Sequence, residues 1–127
     1  MKVVIDTNRY TDFYNGVADV VRILEESQTV SVPIVVLAEL RAGFLLGERV
    51  ELNEGALSRF LEKQGVDVLI PDQQTTHHYA VLYRQLRRQG TPIPTNDIWI
   101  AALTIQHGLT LYTRDRHFDR LPQIPKL

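Results

Sequence analysis

The chain has 127 residues, of which 14 are basic and 15 acidic, so its formal net charge is −1. This length predicts one domain spanning residues 1–127, and the near-neutral charge gives no direct indication of a nucleic-acid partner. The absence of cysteine excludes disulfides and thiolate metal sites. Too few apolar residues precede Asp6 for a signal peptide, and the longest apolar run contains Pro33. We therefore expect a cytoplasmic protein without a membrane segment.

Apolar runs that suit buried strands alternate with stretches of helical periodicity. Val3–Ile5 is apolar at every position, which is typical of a parallel strand covered on both faces. The same pattern predicts strands at Thr29–Val32, Val66–Ile70 and Leu109–Tyr112. Helices are predicted after Asn8 to about Tyr14, at Asp19–Glu26, from Pro33 to about Leu46, around Leu57–Leu61, from about Asp72 to Gln89, and from Asp97 to His107.

The order of these elements predicts the fold class. Strands that alternate with helices favour an α/β three-layer sandwich, with a mainly parallel sheet of four to five strands flanked by helices. The sequence places Pro33 at the first helical position, where its missing N–H is harmless. Gly55 is expected to interrupt the chain before the apolar stripe of Leu57 and Phe60. The tail after Pro122 is expected to be irregular or an edge strand.

Four acidic residues lie beside apolar segments. Asp6 and Asp115 follow the first and last predicted strands, and ligands of open parallel sheets bind beyond the carboxyl ends of strands. Asp97 precedes the almost unbroken apolar run 98–103, and Glu39 lies within the apolar helix that begins at Pro33. We expect the chain to fold so that these four carboxylates meet in one crevice.

Each acid also has a simpler interpretation when it is considered alone. Asp6 could cap the following helix, Asp97 could be favoured by the dipole of its helix, and Asp115 could be an ordinary loop residue. Glu39 shares the buried stripe of its helix, where a carboxylate loses hydration unless something positive compensates it. For Glu39 the alternative to a metal ion is an arginine partner.

Together, the four carboxylates indicate a metal site. Carboxylates that share one crevice raise one another's pKa and persist only with counter-cations. Oxygen ligands, without cysteine or an evident histidine cluster, favour Mg²⁺ or Mn²⁺; His117 is expected to be a loop residue near the crevice. Such a site suits hydrolysis of phosphodiester bonds. The chain has neither a Gly-x-Ser-x-Gly motif nor a Walker loop.

Four stretches resemble, in order and spacing, the motifs of PIN-domain ribonucleases, and the likeness is strongest to the VapC-type toxins of bacterial and archaeal toxin–antitoxin pairs. They are VVIDTN at 3–8, AELRAG at 38–43, NDIWIAA at 96–102 and TRDRHF at 113–118. Together they span essentially the whole chain. The resemblance implies an endonuclease that cleaves structured or single-stranded RNA with Mg²⁺ or Mn²⁺. It also implies a homodimer that a cognate antitoxin inhibits.

The resemblance assigns roles to particular residues. It implies that the catalytic and metal-binding acids are Asp6, Glu39, Asp97 and Asp115, with Asp119 as a candidate fifth ligand. Thr7 and Thr113 correspond to hydroxyl groups beside the metal, and Asn8 to a residue that orients the first acid. Independently of the family, Arg9, Arg114 and Arg116 lie in or near the loops that should border the crevice, where arginine would hold RNA phosphates.

Two further interpretations concern surfaces. The helix that begins at Pro33 is apolar on more than one face, which suggests either a protein partner or a tightly packed core. Arg84, Arg87 and Arg88 cluster at the end of a helix, where cations are favoured by the dipole.

Three other functions compete with that of a toxin. A housekeeping RNA-processing nuclease would use the same chemistry, and the sequence does not separate the two. A phosphoacceptor signalling domain would need a lysine at a late strand end, where the chain has none. A non-catalytic α/β binding module is disfavoured by the intact set of acids.

Overall fold

The computed structural model describes residues 1–127 as an α/β fold, which confirms the predicted class. The four strands are β1 (Lys2–Ile5), β2 (Thr29–Pro33), β3 (Val66–Leu69) and β4 (Thr110–Tyr112). The six α-helices are α1 (Thr7–Tyr14), α2 (Ala18–Glu26), α3 (Ile34–Leu46), α4 (Val50–Leu61), α5 (Gln73–Gln89) and α6 (Thr95–Gln106). A short 3₁₀ helix follows at Arg116–Arg120. None of the helices combines the length and apolar character that a bilayer crossing requires.

The four strands form one parallel sheet in the order β3-β2-β1-β4. The tail adds only an isolated bridge between Leu111 and Lys126, so the sheet has four strands and no fifth. From β1 the chain builds outward through β2 and β3, and then crosses back to place β4 on the other side of β1. The strand order therefore reverses between β1 and β4. At such a point the loops leave two neighbouring strands in opposite directions and open a crevice.

The core explains why two segments read as continuous apolar runs. Val3, Val4 and Ile5 of β1 are fully buried, as expected for an inner parallel strand. Helix α6 is buried on most of its faces and packs against α5, α3 and the end of β4. Trp99 is the one residue of the run 98–103 that is not fully buried. It lies half-buried against Tyr79, with the centres of the two rings 4.4 Å apart. The first turn of α6 is thereby held at the edge of the core.

The structure corrects several local predictions. Pro33 is the last residue of β2, and α3 begins one residue later at Ile34. Gly55 lies within a continuous helix α4 and does not interrupt it. A glycine inside a helix costs about 1 kcal/mol, and the burial of Leu57 and Phe60 against the core outweighs this cost. His117 belongs to the 3₁₀ helix and is not a loop residue.

Candidate metal centre

Asp6 directly follows β1 and both caps α1 and faces the crevice. Its Oδ1 accepts the backbone N–H of Thr7 at 2.8 Å. Its Oδ2 accepts the hydroxyl of Thr113 at 2.8 Å and the side-chain amide of Asn8 at 3.3 Å. Burial raises the pKa of Asp6, and the negative charges of Glu39 and Asp115 add to this effect, whereas the hydrogen bonds from Thr113 and Thr7 oppose it. The capping role and the crevice position are therefore compatible.

Glu39 lies half-buried on α3, and uncharged groups hold both of its oxygens. Its Oε2 accepts the hydroxyl of Thr7 at 2.9 Å, and its Oε1 accepts the side-chain amide of Asn96 at 3.0 Å. No arginine compensates this carboxylate; Arg41, two residues further along, instead pairs with Glu54 at 2.7 Å. Hydroxyl and amide donors orient Glu39 without neutralising its charge. Asn96 was not among the predicted site residues.

Asp97 enters the crevice from the first turn of α6 and is only 7% exposed. Burial raises its pKa to about 6, and repulsion from Asp6 and Asp115 acts in the same direction. The neighbouring His117 partly offsets this rise, because its Nδ1 lies 3.1 Å from Asp97 Oδ2. A carboxylate in this position is electrostatically unfavourable near neutral pH unless a cation binds beside it.

Asp115 follows β4 and caps the 3₁₀ helix. Its Oδ1 accepts the backbone N–H of His117 at 2.9 Å and lies 3.2 Å from His117 Nδ1. Its own N–H donates to the Thr113 hydroxyl at 3.0 Å, which in turn donates to Asp6. One donor atom each from Asp97, Asp115 and His117 lie within 4.8 Å of one another. The sequence placed His117 near the crevice, as found, but not within this cluster of donor atoms, for which its position two residues after Asp115 was the available signal.

The structure thus brings together Asp6, Glu39, Asp97 and Asp115, which come from four separate parts of the chain. The hydrogen bonds between them and their neighbours involve hydroxyl, amide, backbone and imidazole groups, and no lysine or arginine contacts any of the four carboxylates. Apart from the partial offset that His117 provides to Asp97, their mutual repulsion is consequently not compensated by the protein itself. Asp97 and Asp115 place one oxygen each within 4.8 Å of the other and of His117 Nδ1, while Asp6 and Glu39 lie near enough for their charges to act within the cluster. Carboxylate oxygens without a lysine or arginine beside them are the donor set that a hard divalent ion prefers. The residues present therefore fit such an ion.

Asp119, the candidate fifth acid, does not join the cluster. Its carboxylate pairs with Lys126 at 2.6 Å on the exposed side of the 3₁₀ helix. This pairing lowers the pKa of Asp119, and Arg116 adds a smaller effect in the same direction. The charges that act on Asp119 are thus cations and not the other four acids.

Two of the three predicted phosphate-binding arginines share an acidic partner that sequence reasoning missed. Arg114 forms two hydrogen bonds with Asp12, both at 3.0 Å, and Arg9 approaches the same carboxylate at 3.2 Å. Arg114, followed by Arg9, holds the pKa of Asp12 below its ordinary value. Arg9 is mostly buried, with its guanidinium 4.3 Å from the centre of the Tyr112 ring. Arg116 is exposed and has no acidic partner within ion-pair distance.

Comparisons with known proteins identify the family and the fold. The family model described as the PIN domain matches residues 3–124. The ribonuclease VapC4 of Mycobacterium tuberculosis is 32% identical over 93 residues, which cover 73% of this chain and 72% of that protein. A chain of the crystal structure of VapBC2 from Rickettsia felis, bound to a DNA fragment from their promoter, aligns with a TM-score of 0.88 and 27% identity, over 100% of this chain and 98% of that one. A chain of the DNA-bound VapBC structure from Salmonella typhimurium aligns with a TM-score of 0.89 and 25% identity, over 100% of this chain and 97% of that one.

Proposed function

The chain belongs to the PIN-domain family, as its motifs predict, and we propose that it is a metal-dependent endoribonuclease that acts as the toxin of a toxin–antitoxin pair. One observation carries the proposal: four carboxylates from distant parts of the chain meet where the strand order reverses, without a lysine or arginine to neutralise them. The similarity to proteins that are named VapC ribonucleases supports RNA as the substrate.

The four acids would hold Mg²⁺ or Mn²⁺ in the crevice. When bound, such an ion activates water for attack and neutralises the charge that develops on the phosphate group. The chain provides no cysteine nucleophile, and the carboxylates themselves would remain unmodified in the reaction. Hydrolysis by activated water is therefore the reaction class that this set of residues supports.

Uncharged side chains pre-position the acids for this task. Thr113 and Asn8 fix one oxygen of Asp6, while Thr7 and Asn96 fix the two oxygens of Glu39. Ligands that are already oriented lose little conformational freedom when an ion binds. Because the orienting groups carry no charge, they leave the full negative potential of the crevice available to the ion. We therefore assign Thr7, Asn8, Asn96 and Thr113 as supporting residues.

Arginines beside the crevice would hold the RNA backbone. Arg116 is exposed and free to contact a phosphate, and Arg114 is 57% exposed although it is paired with Asp12. Arg9 and Arg114 together carry one positive charge more than their shared partner Asp12. Guanidinium groups match phosphate oxygens well, so this side of the crevice would attract a polyanion.

A groove and exposed apolar side chains support a protein partner. Tyr10, Tyr14, Leu40 and Phe44 line much of a groove of about 170 Å³ between α1, α3 and α4. Leu46 at the end of α3 is 90% exposed. Apolar surface of this kind is typical of a binding site for another protein. We propose that a cognate antitoxin covers it, in keeping with the VapBC assemblies that the chain resembles.

We also propose that the protein functions in the cytoplasm as a homodimer and that residues 1–127 act as one nuclease domain. Val81 on α5 is 54% exposed and provides apolar surface that a second subunit would cover. Light scattering of the purified protein tests this association.

RNA cleavage by the purified protein tests the nuclease proposal. We expect cleavage of cellular RNA with Mn²⁺ or Mg²⁺ and none in EDTA, and we expect Asp6→Asn and Glu39→Gln to remove it while the circular dichroism spectrum is retained. Asp19→Asn, at an 85% exposed side chain remote from the crevice, is the matched control. In cells, expression should arrest growth in a manner that Asp6→Asn relieves. Cleavage that persists in EDTA would overturn the proposal.

A further inference from the structure

The imidazole of His117 lies between two of the acids that are proposed to bind the metal. Its Nδ1 is 3.1 Å from Asp97 Oδ2 and 3.2 Å from Asp115 Oδ1. Two neighbouring ligands of an octahedral ion, each about 2.1 Å from it, are about 3.0 Å apart. The two observed separations are thus close to those expected between ligands of a single ion, in addition to being hydrogen-bond distances.

We infer that His117 is itself a metal ligand, so that Asp97, Asp115 and His117 form a mixed nitrogen–oxygen site that selects Mn²⁺ over Mg²⁺. The inference rests on the proposed metal-dependent function and specifies its ion. Carboxylate oxygens accept both ions, whereas an imidazole nitrogen binds first-row transition-metal ions in preference to Mg²⁺. A nitrogen ligand therefore shifts the preference of the site from Mg²⁺ towards Mn²⁺.

The backbone fixes His117 in this position. The carboxylate of Asp115 accepts the His117 N–H at 2.9 Å, which ties the ring to the loop that carries the acid. The next residue, Phe118, is fully buried and anchors the 3₁₀ helix in the core. The His117 side chain is 42% exposed. Its Nδ1 can therefore face the acids while Nε2 carries the hydrogen and faces water, which is the tautomer that a ligand at Nδ1 requires.

No other histidine contacts the four acids, which makes the inference specific to one residue. His77 and His78 lie on α5, outside the cluster of donor atoms. His107 is the residue that ends α6, at the opposite end of that helix from Asp97. A nitrogen signal from an ion in the crevice would consequently identify His117.

Pulsed electron paramagnetic resonance of Mn²⁺ bound to the full-length protein gives the direct test. We expect a coupling to ¹⁴N that becomes a ¹⁵N coupling when the protein is made with ¹⁵N-labelled histidine in a buffer without nitrogen ligands. The coupling should be lost in His117→Gln and retained in the control His77→Gln. Since the labelled wild-type protein gives the answer by itself, the test does not depend on the folding of any variant.

Affinities provide a second readout that a purely structural role would not change selectively. Loss of a metal ligand should weaken Mn²⁺ binding to His117→Gln by about tenfold or more, whereas Mg²⁺ binding should change much less. Calorimetric titration of each ion measures both, with His117→Ala as a second variant. Bound Mn²⁺ without nitrogen coupling, or equal losses for the two ions, would overturn the mixed site and leave the proposed nuclease intact. Failure of the wild type to bind either ion would overturn both proposals.

Discussion

Replacement of Asp97 by asparagine should stabilise the metal-free protein near neutral pH while it abolishes RNA cleavage. Burial and the nearby acids raise the pKa of Asp97 from 3.8 to about 6. The folded protein therefore retains a proton on Asp97 up to about pH 6, whereas the unfolded chain releases it near pH 4. Consequently the stability contributed by this group is complete below pH 4 and is lost as the pH rises to about 6 and above.

The size of the effect follows from the same pKa change. At pH 7.5 the ionised Asp97 costs about 3 kcal/mol relative to a neutral side chain, because each tenfold change in a protonation equilibrium is worth about 1.4 kcal/mol. At pH 4.5 the cost is only about 1 kcal/mol, since the folded protein is still protonated. Asp97→Asn should therefore gain about 2 kcal/mol more over the wild type at pH 7.5 than at pH 4.5.

Urea unfolding in EDTA at the two pH values measures this difference. Asp19→Asn, at an exposed site, should stay within about 0.5 kcal/mol of the wild type at both. Repeating the comparison in a His117→Gln protein separates the contribution of Asp97 from that of its imidazole partner. A variant that is less stable than the wild type at pH 7.5, or a stability difference that does not depend on pH, would refute the electrostatic reasoning and favour a structural role for Asp97.

Three further predictions concern the metal and the residues around it. Mn²⁺ at a hundred times its dissociation constant should raise the melting temperature by roughly 10 °C, because it binds only the folded protein; differential scanning fluorimetry measures this, and Asp6→Asn should remove most of the shift. Thr113→Val should weaken Mn²⁺ binding about tenfold through loss of the hydroxyl that orients Asp6, whereas Thr113→Ser should preserve binding in the same titration. Asp12→Ala should lower the free energy of unfolding by about 1 kcal/mol, since the mostly buried Arg9 loses its partner, and an unchanged urea midpoint would contradict this.

Much of the fold was predictable because the buried elements follow simple periodicities. The apolar residues Val3–Ile5 of β1 and the apolar run of α6 indicated an inner strand and a buried helix, and both are found. The convergence of Asp6 and Asp115 was foreseeable because the carboxyl ends of parallel strands share one edge of the sheet. Glu39 stood out as a carboxylate on an apolar helix.

The contacts that orient the acids were less accessible to sequence reasoning. They join side chains that are far apart in the chain, such as Asn96 with Glu39 and Asp12 with Arg114, and no local period encodes them. The position of His117 depends on a single turn of 3₁₀ helix, which has too few residues to give a periodic signal. The prediction that Gly55 interrupts the chain was wrong, because it followed from the poor helix propensity of glycine. The burial of Leu57 and Phe60 decides the structure here instead.

We propose that acids from four parts of the chain form one metal site. Anomalous diffraction from a crystal soaked in Mn²⁺ tests it most directly. We expect an anomalous peak about 2.1 Å from carboxylate oxygens of Asp97 and Asp115, within the crevice that also contains Asp6 and Glu39. A fully soaked crystal with no peak in this crevice, or with Mn²⁺ bound only at other acids, would contradict it.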